Sequence, residues 1–219
     1  MSLMAARAAC AQKSVPAAPA ANATARSFAD SRYGVRFEVP AGWTLAHRDG
    51  EVSNFRLDVK DAPRGSLVRG VASMEFNPFP QSTLSSALLY FTVQLNSDEK
   101  SCVAPVGARD VRQETVGIGG MGFTHRHVEH GNECTETRDE IYTAYRRHAC
   151  YRFDLEVNTF CSAASGAQEL SEGQLHDVEA RMAGILSTVT FSWETSGAQM
   201  VAVPDVAPVV RQPMKPGVR

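Results

Sequence analysis

The sequence predicts an α+β domain in which an antiparallel β-sheet is covered by two amphipathic helices. Three observations lead there. Segments of strict two-residue alternation recur between residues 28 and 193, the period of half-buried strands. Two stretches, one central and one near the end, switch to helical spacing. Successive alternating segments are joined by short Gly-, Asn- and Pro-containing turns, which suit antiparallel neighbours.

Taken in order, residues 33–39 place Tyr33, Val35, Phe37 and Val39 on one face, and Pro40, Ala41 and Gly42 turn the chain into a strand opening at Trp43. Further strands are expected over 55–59 and 68–76, the latter with Val68, Gly70, Ala72, Met74 and Phe76 aligned. Leu84, Ala87, Leu88, Phe91 and Leu95 then recur at helical spacing behind a cap at Ser82, predicting the first helix. Residues 96–107 read as a polar connection. A meander follows, with strands over 111–118, 123–128, 139–145 and 151–159, a turn at His130, Gly131 and Asn132, and a hairpin turn at Arg147 and His148. In its last strand Tyr151, Phe153, Leu155 and Val157 face one side and Arg152, Asp154, Glu156 and Asn158 the other, so one sheet face is expected to be wet. The second helix has a capping box at Ser171 and Gln174, followed by Leu175, Val178, Met182 and Ile185. Thr188 to Trp193 returns to alternation.

The ends differ from this core. Residues 1–27 are rich in Ala with Pro16 and Pro19, too poor in large side chains to offset ordering entropy, and are expected to be disordered. Ala6, Arg7 and Ala8 have the small-x-small form of a signal-peptide cleavage site. Arg7 stands where a lipobox wants an aliphatic residue, so Cys10 is a poor anchor site. Residues 28–195 form the expected domain, and the Pro-rich residues 196–219 a flexible tail. A net charge of −2 provides no global field for nucleic acid, and no run of about 18 apolar residues marks a transmembrane segment.

The segment from Tyr33 through Pro40, Ala41, Gly42 and Trp43 resembles the opening motif of PsbP-like domains. So does the later order: a helix, paired strands beginning near Gly119 and Gly120, then a helix running into Ile185, Leu186, Ser187 and Phe191. The resemblance implies an α/β/α sandwich and an accessory, binding or assembly role in exported bacterial proteins. It carries no catalytic residues across.

Candidate chemistry is sparse. Gly117, Gly119 and Gly122 match G-x-G-x-x-G, but the following residues 123–128 alternate like a strand rather than opening a helix, so the glycines read as a tight turn. His125 and His127, two apart on a strand, share a face and are candidate metal ligands, with His130, Glu129 or Glu133 completing a shell from the turn; Arg126, Arg146 and Arg147 oppose a cation there. Arg138, Asp139, Glu140, Arg152, Asp154 and Glu156 read as cross-strand charge pairs. Cys102, Cys134, Cys150 and Cys161 have no C-x-x-C spacing and suit an oxidising compartment. A two-residue turn at Arg147 and His148 sets Cys134 opposite Cys161, whereas matching the apolar faces needs a register one residue different. Cys134 with Cys161 is the favoured disulfide, leaving Cys102 with Cys150.

Together these features predict an extracytoplasmic (periplasmic or secreted), non-enzymatic accessory domain that needs no cofactor and binds an unknown protein partner or small ligand. The alternatives are a metal-dependent enzyme centred on His125 and His127, and a structural component of the cell envelope.

Overall fold

The computed structural model describes residues 24–51, 62–63, 65–104, 113–132 and 134–193. The strand expected over 55–59, Cys10, Glu133, the start of the chain to residue 23 and the tail over 196–219 lie outside the described residues.

A seven-stranded antiparallel sheet runs in the order β3-β4-β5-β9-β8-β7-β6, from β3 (Trp43–Glu51), β4 (Ser66–Met74), β5 (Leu84–Leu95), β6 (Glu114–Ile118), β7 (Met121–Asn132), β8 (Thr135–Arg146) and β9 (Ala149–Phe160). A small three-stranded sheet, β1 (Arg26–Asp30), β2 (Val35–Val39) and β10 (Thr190–Phe191), packs on one of its faces. Alternation explains β2, whose Val35, Phe37 and Val39 are buried. Phe37 meets Phe153 edge-on, and Phe28 of β1 stacks on Phe37 at 4.5 Å between centroids. Helix α3 (Glu172–Ser187) lies beside this small sheet, burying Val178, Met182, Ile185 and Leu186. Its capping box is formed: Ser171 Oγ accepts from the Gln174 amide, and Gln174 Oε1 from the Ser171 amide.

Several expectations are corrected. Residues 84–95 form the central strand β5, not a helix. Between β4 and β9 this strand is buried on both faces, so its apolar run is nearly continuous and satisfies helical spacing by accident. The sheet is therefore not covered by two amphipathic helices: α3 shares one face with the small sheet. The only other helices among the described residues are α1 (Glu99–Val103) and α2 (Ser162–Ser165). Helix α1 lies inside the stretch read as a connection, and a capping box between Asp98 and Ser101 starts it. In β4 a bulge between Val68 and Gly70 switches faces, so Val68 joins Val71 and Tyr90 in a minor cluster while Ala72 stays in the main core. Strand β1 starts inside the stretch expected to be disordered, because Phe28 fills the core at 0% exposure.

The β8–β9 register pairs Tyr145 with Cys150 and Thr135 with Phe160 without a bulge. This is the register of the two-residue turn, with Arg147 and His148 both at positive φ (49° and 61°). The apolar-face argument fails because neither face is wet: Arg152, Asp154 and Glu156 are buried at 3%, 0% and 6% exposure.

Candidate functional site

The β7–β8 ribbon carries charge on both faces, and the two-residue period of the strands sorts it. The turn expected at His130, Gly131 and Asn132 is instead paired strand: Gly131 faces Glu136 and Asn132 faces Thr135. Gly131 suits this position because a Cβ there would meet the Thr135 carbonyl at 2.6 Å. The extended pairing sets His127 opposite Glu140 and His125 opposite Tyr142.

On one face His125 and His127 come together around a single carboxylate. Glu140 Oε2 lies 2.5 Å from His125 Nε2, and Glu140 Oε1 lies 2.6 Å from His127 Nδ1. The other ring nitrogens also meet carboxylates, His125 Nδ1 with Glu114 of β6 at 2.8 Å and His127 Nε2 with Glu129 at 3.3 Å. The His125 ring stacks on Tyr142 at 4.5 Å. The Glu140 hydrogen bond raises the His125 pKa above its ordinary value, with Glu114 adding to it against burial. For His127 burial acts downward, but Glu140 and Glu129 outweigh it and the pKa also rises. Burial alone would raise Glu140; its bonds to both histidines hold it low instead. Burial, reinforced by Glu140, pushes the Tyr142 hydroxyl up to about 12.

When both rings are protonated this is an imidazolium–carboxylate ladder, in which each ring nitrogen donates to a carboxylate oxygen. Among the described residues, no group of three or more His, Cys, Asp or Glu side chains is arranged to hold a metal ion. His130, three residues beyond His127 and so out of phase with the pair, falls on the opposite face and lines a separate hollow of about 350 Å³ with Glu129 and Glu136. Arg126 also points to that opposite face, so it does not oppose a charge at His125 and His127; its Nη1 donates to the Ala104 carbonyl at 3.1 Å.

The opposite face holds a second cluster. The charged residues read as one set of cross-strand pairs divide between faces: Arg138 and Glu140 lie on the histidine side, Asp139, Arg152, Asp154 and Glu156 on the buried side. Arg152 Nε donates to both Asp154 oxygens at 2.7 and 2.9 Å, and its Nη2 also donates to Asp154. Asp139 is 1% exposed, and its Oδ1 has no hydrogen-bond partner. Burial, then the neighbouring Asp154 and Glu156, push the Asp139 carboxyl well up, and burial raises Asp154 as well against the pull of Arg152. Asp139, Arg152, Asp154 and Glu156 thus form a layer of buried charge.

Cys102, Cys134, Cys150 and Cys161 fall into two pairs at disulfide distance. Cys102 of α1 sits with Cys150 of β9 (Cα–Cα 5.4 Å), and Cys134 with Cys161 at the far end of the β8–β9 hairpin (4.7 Å).

No protein-family model matches the chain, and no curated protein matches it in sequence. In structure it is similar to cyanobacterial PsbP (CyanoP) from Synechocystis sp. PCC 6803, with a TM-score of 0.43, 15% identity and coverage of 80% of this chain and 96% of that one. It is also similar to LpqN, involved in cell envelope biogenesis of Mycobacterium tuberculosis, with a TM-score of 0.40, 10% identity and coverage of 72% and 83%. Both are likenesses of structure alone. No helix among the described residues is long and apolar enough to cross a membrane.

Sequence reading missed Glu114 and Glu140 as histidine partners. The signal for Glu140 is present in the β7–β8 pairing, but a turn placed three residues early hides it.

Proposed function

We propose that the chain is an extracytoplasmic accessory domain that acts by binding a protein partner or a small ligand rather than by catalysis. The observation that carries this is the arrangement of the four cysteines of the folded region in two pairs at disulfide distance, one tying α1 to the sheet and one closing the hairpin. Such pairs persist in oxidising compartments and are rare in the cytosol. The small-x-small site at Ala6, Arg7 and Ala8 supports the same compartment. A binding role is supported by shallow surface hollows of 340 to 370 Å³, and by histidines whose ring nitrogens are engaged by carboxylates.

Intact mass of the full chain, exported to the periplasm and measured before and after reduction, tests the compartment. The expected result is the mass deficit of two disulfides; free thiols in exported protein would overturn the reading. The binding half is tested by zinc analysis of the same sample. Stoichiometric zinc that is lost in a His127→Ala variant would replace it with the metalloenzyme alternative.

A further inference from the structure

We propose that His125 is a pH-operated latch on the edge strand β6: with both ring nitrogens protonated it ties Glu114 of β6 to Glu140 of β8, and loss of one proton lets the start of β6 fray from the sheet. β6 closes one edge of the seven-stranded sheet and is only five residues long. Ile118 is buried and Val116 packs partly on the core, whereas Glu114 and Thr115 are exposed. The turn at Gly119 and Gly120 pins one end, setting Ile118 against Met121. Glu114, paired with His125, lies at the other end, where a strand with little buried surface opens first.

Three contacts fix the ring. His125 stacks on Tyr142 with centroids 4.5 Å apart and planes 15° from parallel. Its Nε2 lies 2.5 Å from Glu140 Oε2, and its Nδ1 lies 2.8 Å from Glu114 Oε1. An imidazolium has two N–H donors and serves both carboxylates, whereas a neutral ring has one donor and one lone pair. The Glu140 side chain is 23% exposed and that of Glu114 56%, so water replaces a lost donor more readily at Glu114. The single remaining proton therefore stays on Nε2, and Nδ1 turns a lone pair towards Glu114. A bond that held β6 becomes a repulsion.

Around the ring stand His127 and Glu129 of β7, Arg138 of β8, and His176 and Glu179 of α3, while the Tyr142 phenol feels Glu114, Glu140 and Glu179. Arg138 is the permanent cation among them, so the balance against Glu114, Glu129, Glu140 and Glu179 rests on histidine protons. Glu140, then Glu114, raise the His125 pKa against burial, so the latch is closed below 6.5 and opens as pH rises through the higher folded value. Fraying uncovers the backbone of Phe123, Thr124 and His125, the register partners of β6, and an uncovered strand edge can pair with another chain. The latch operates whatever the domain binds.

The test is hydrogen exchange of the full chain from about pH 5.5 to about pH 8.5, spanning the histidine range, with EDTA present to keep metal off the ring. Protection factors cancel the intrinsic pH dependence of exchange. For the sheet-bonded amides of residues 114–116 they should fall about threefold to fivefold across this range, the scale of a partly screened ion pair, while those of β9 hold. A Glu114→Gln variant carries an amide whose oxygen accepts from the charged ring and whose N–H donates to the neutral one, so its β6 protection should not change with pH. Unchanged protection in β9 shows that the variant is folded. A flat profile for residues 114–116 in wild type, or the same fall in Glu114→Gln, would overturn the proposal.

Discussion

Replacing Cys102 and Cys150 together by alanine should lower the thermal midpoint by about 8–16 °C, a value that follows from loop length and domain size. The pair closes a loop with a sequence separation of 48. Releasing that constraint from the unfolded chain removes about 4 kcal/mol by the chain-entropy relation, and each kcal/mol moves the midpoint of a domain this size by about 2–4 °C. The effect should also have a place. Helix α1 has only five residues, far below the length at which an isolated helix holds in water. Its Cys102 and Ala104 amides donate to Asp98 and Lys100 carbonyls at 3.0 Å each. Without the tether to β9 these amides should exchange with solvent much faster, and the bond from Arg126 to the Ala104 carbonyl should be lost with them. Calorimetry on oxidised wild type and variant gives the midpoint, and hydrogen exchange gives the location. A drop of less than about 2 °C, or unchanged protection in α1, would refute the argument that this link stabilises the fold through the unfolded chain.

Other outcomes follow from the two charged faces and one core contact. His125 and His127 both have raised pKa values, so the stabilisation they contribute is complete below 6.5 and is lost as pH rises through the raised folded values. A His125→Gln, His127→Gln variant should flatten the stability profile above that point by about 1 kcal/mol at most, since these pairs are partly exposed and screened. Parallel urea-unfolding profiles for variant and wild type would contradict this. Because the Asp139 carboxyl is pushed well above its ordinary value in the folded protein, wild type loses stability as pH rises above 3.8. Asp139→Asn should therefore stabilise the protein at neutral pH by about 1–3 kcal/mol, and a less stable variant in chemical denaturation would be the contrary result. Gly70→Ala should cost about 1–3 kcal/mol, because the new Cβ would lie 2.6 Å from Phe28 Cε2, on a ring held between Phe37 and Phe91. Gly122→Ala, where the nearest contact is Thr115 Cγ2 at 3.7 Å, should be nearly neutral in the same assay.

Legibility followed how local each signal is. The capping box of α3 and the turn at Gly119 and Gly120 (φ 55° and 82°) were readable because adjacent residues create them. The histidine pair was readable as two residues on one face of a strand. Its environment was not, since Glu114, Glu129 and Glu140 depend on strand pairing, and a one-residue change of register turns a side chain to the other face.

What the amino-acid order determined alone was the α+β class, the alternation of the outer strands, the terminal helix and its cap, and the two-residue hairpin that sets Cys134 beside Cys161. Tertiary structure decided whether residues 84–95 were helix or strand. An apolar run buried on every side looks the same to either period, and only neighbours on both edges, β4 and β9, distinguish them. It also decided that Arg152, Asp154 and Glu156 are enclosed. Alternation records which side chains differ, but burial depends on what covers the second face, and that covering comes from distant parts of the chain.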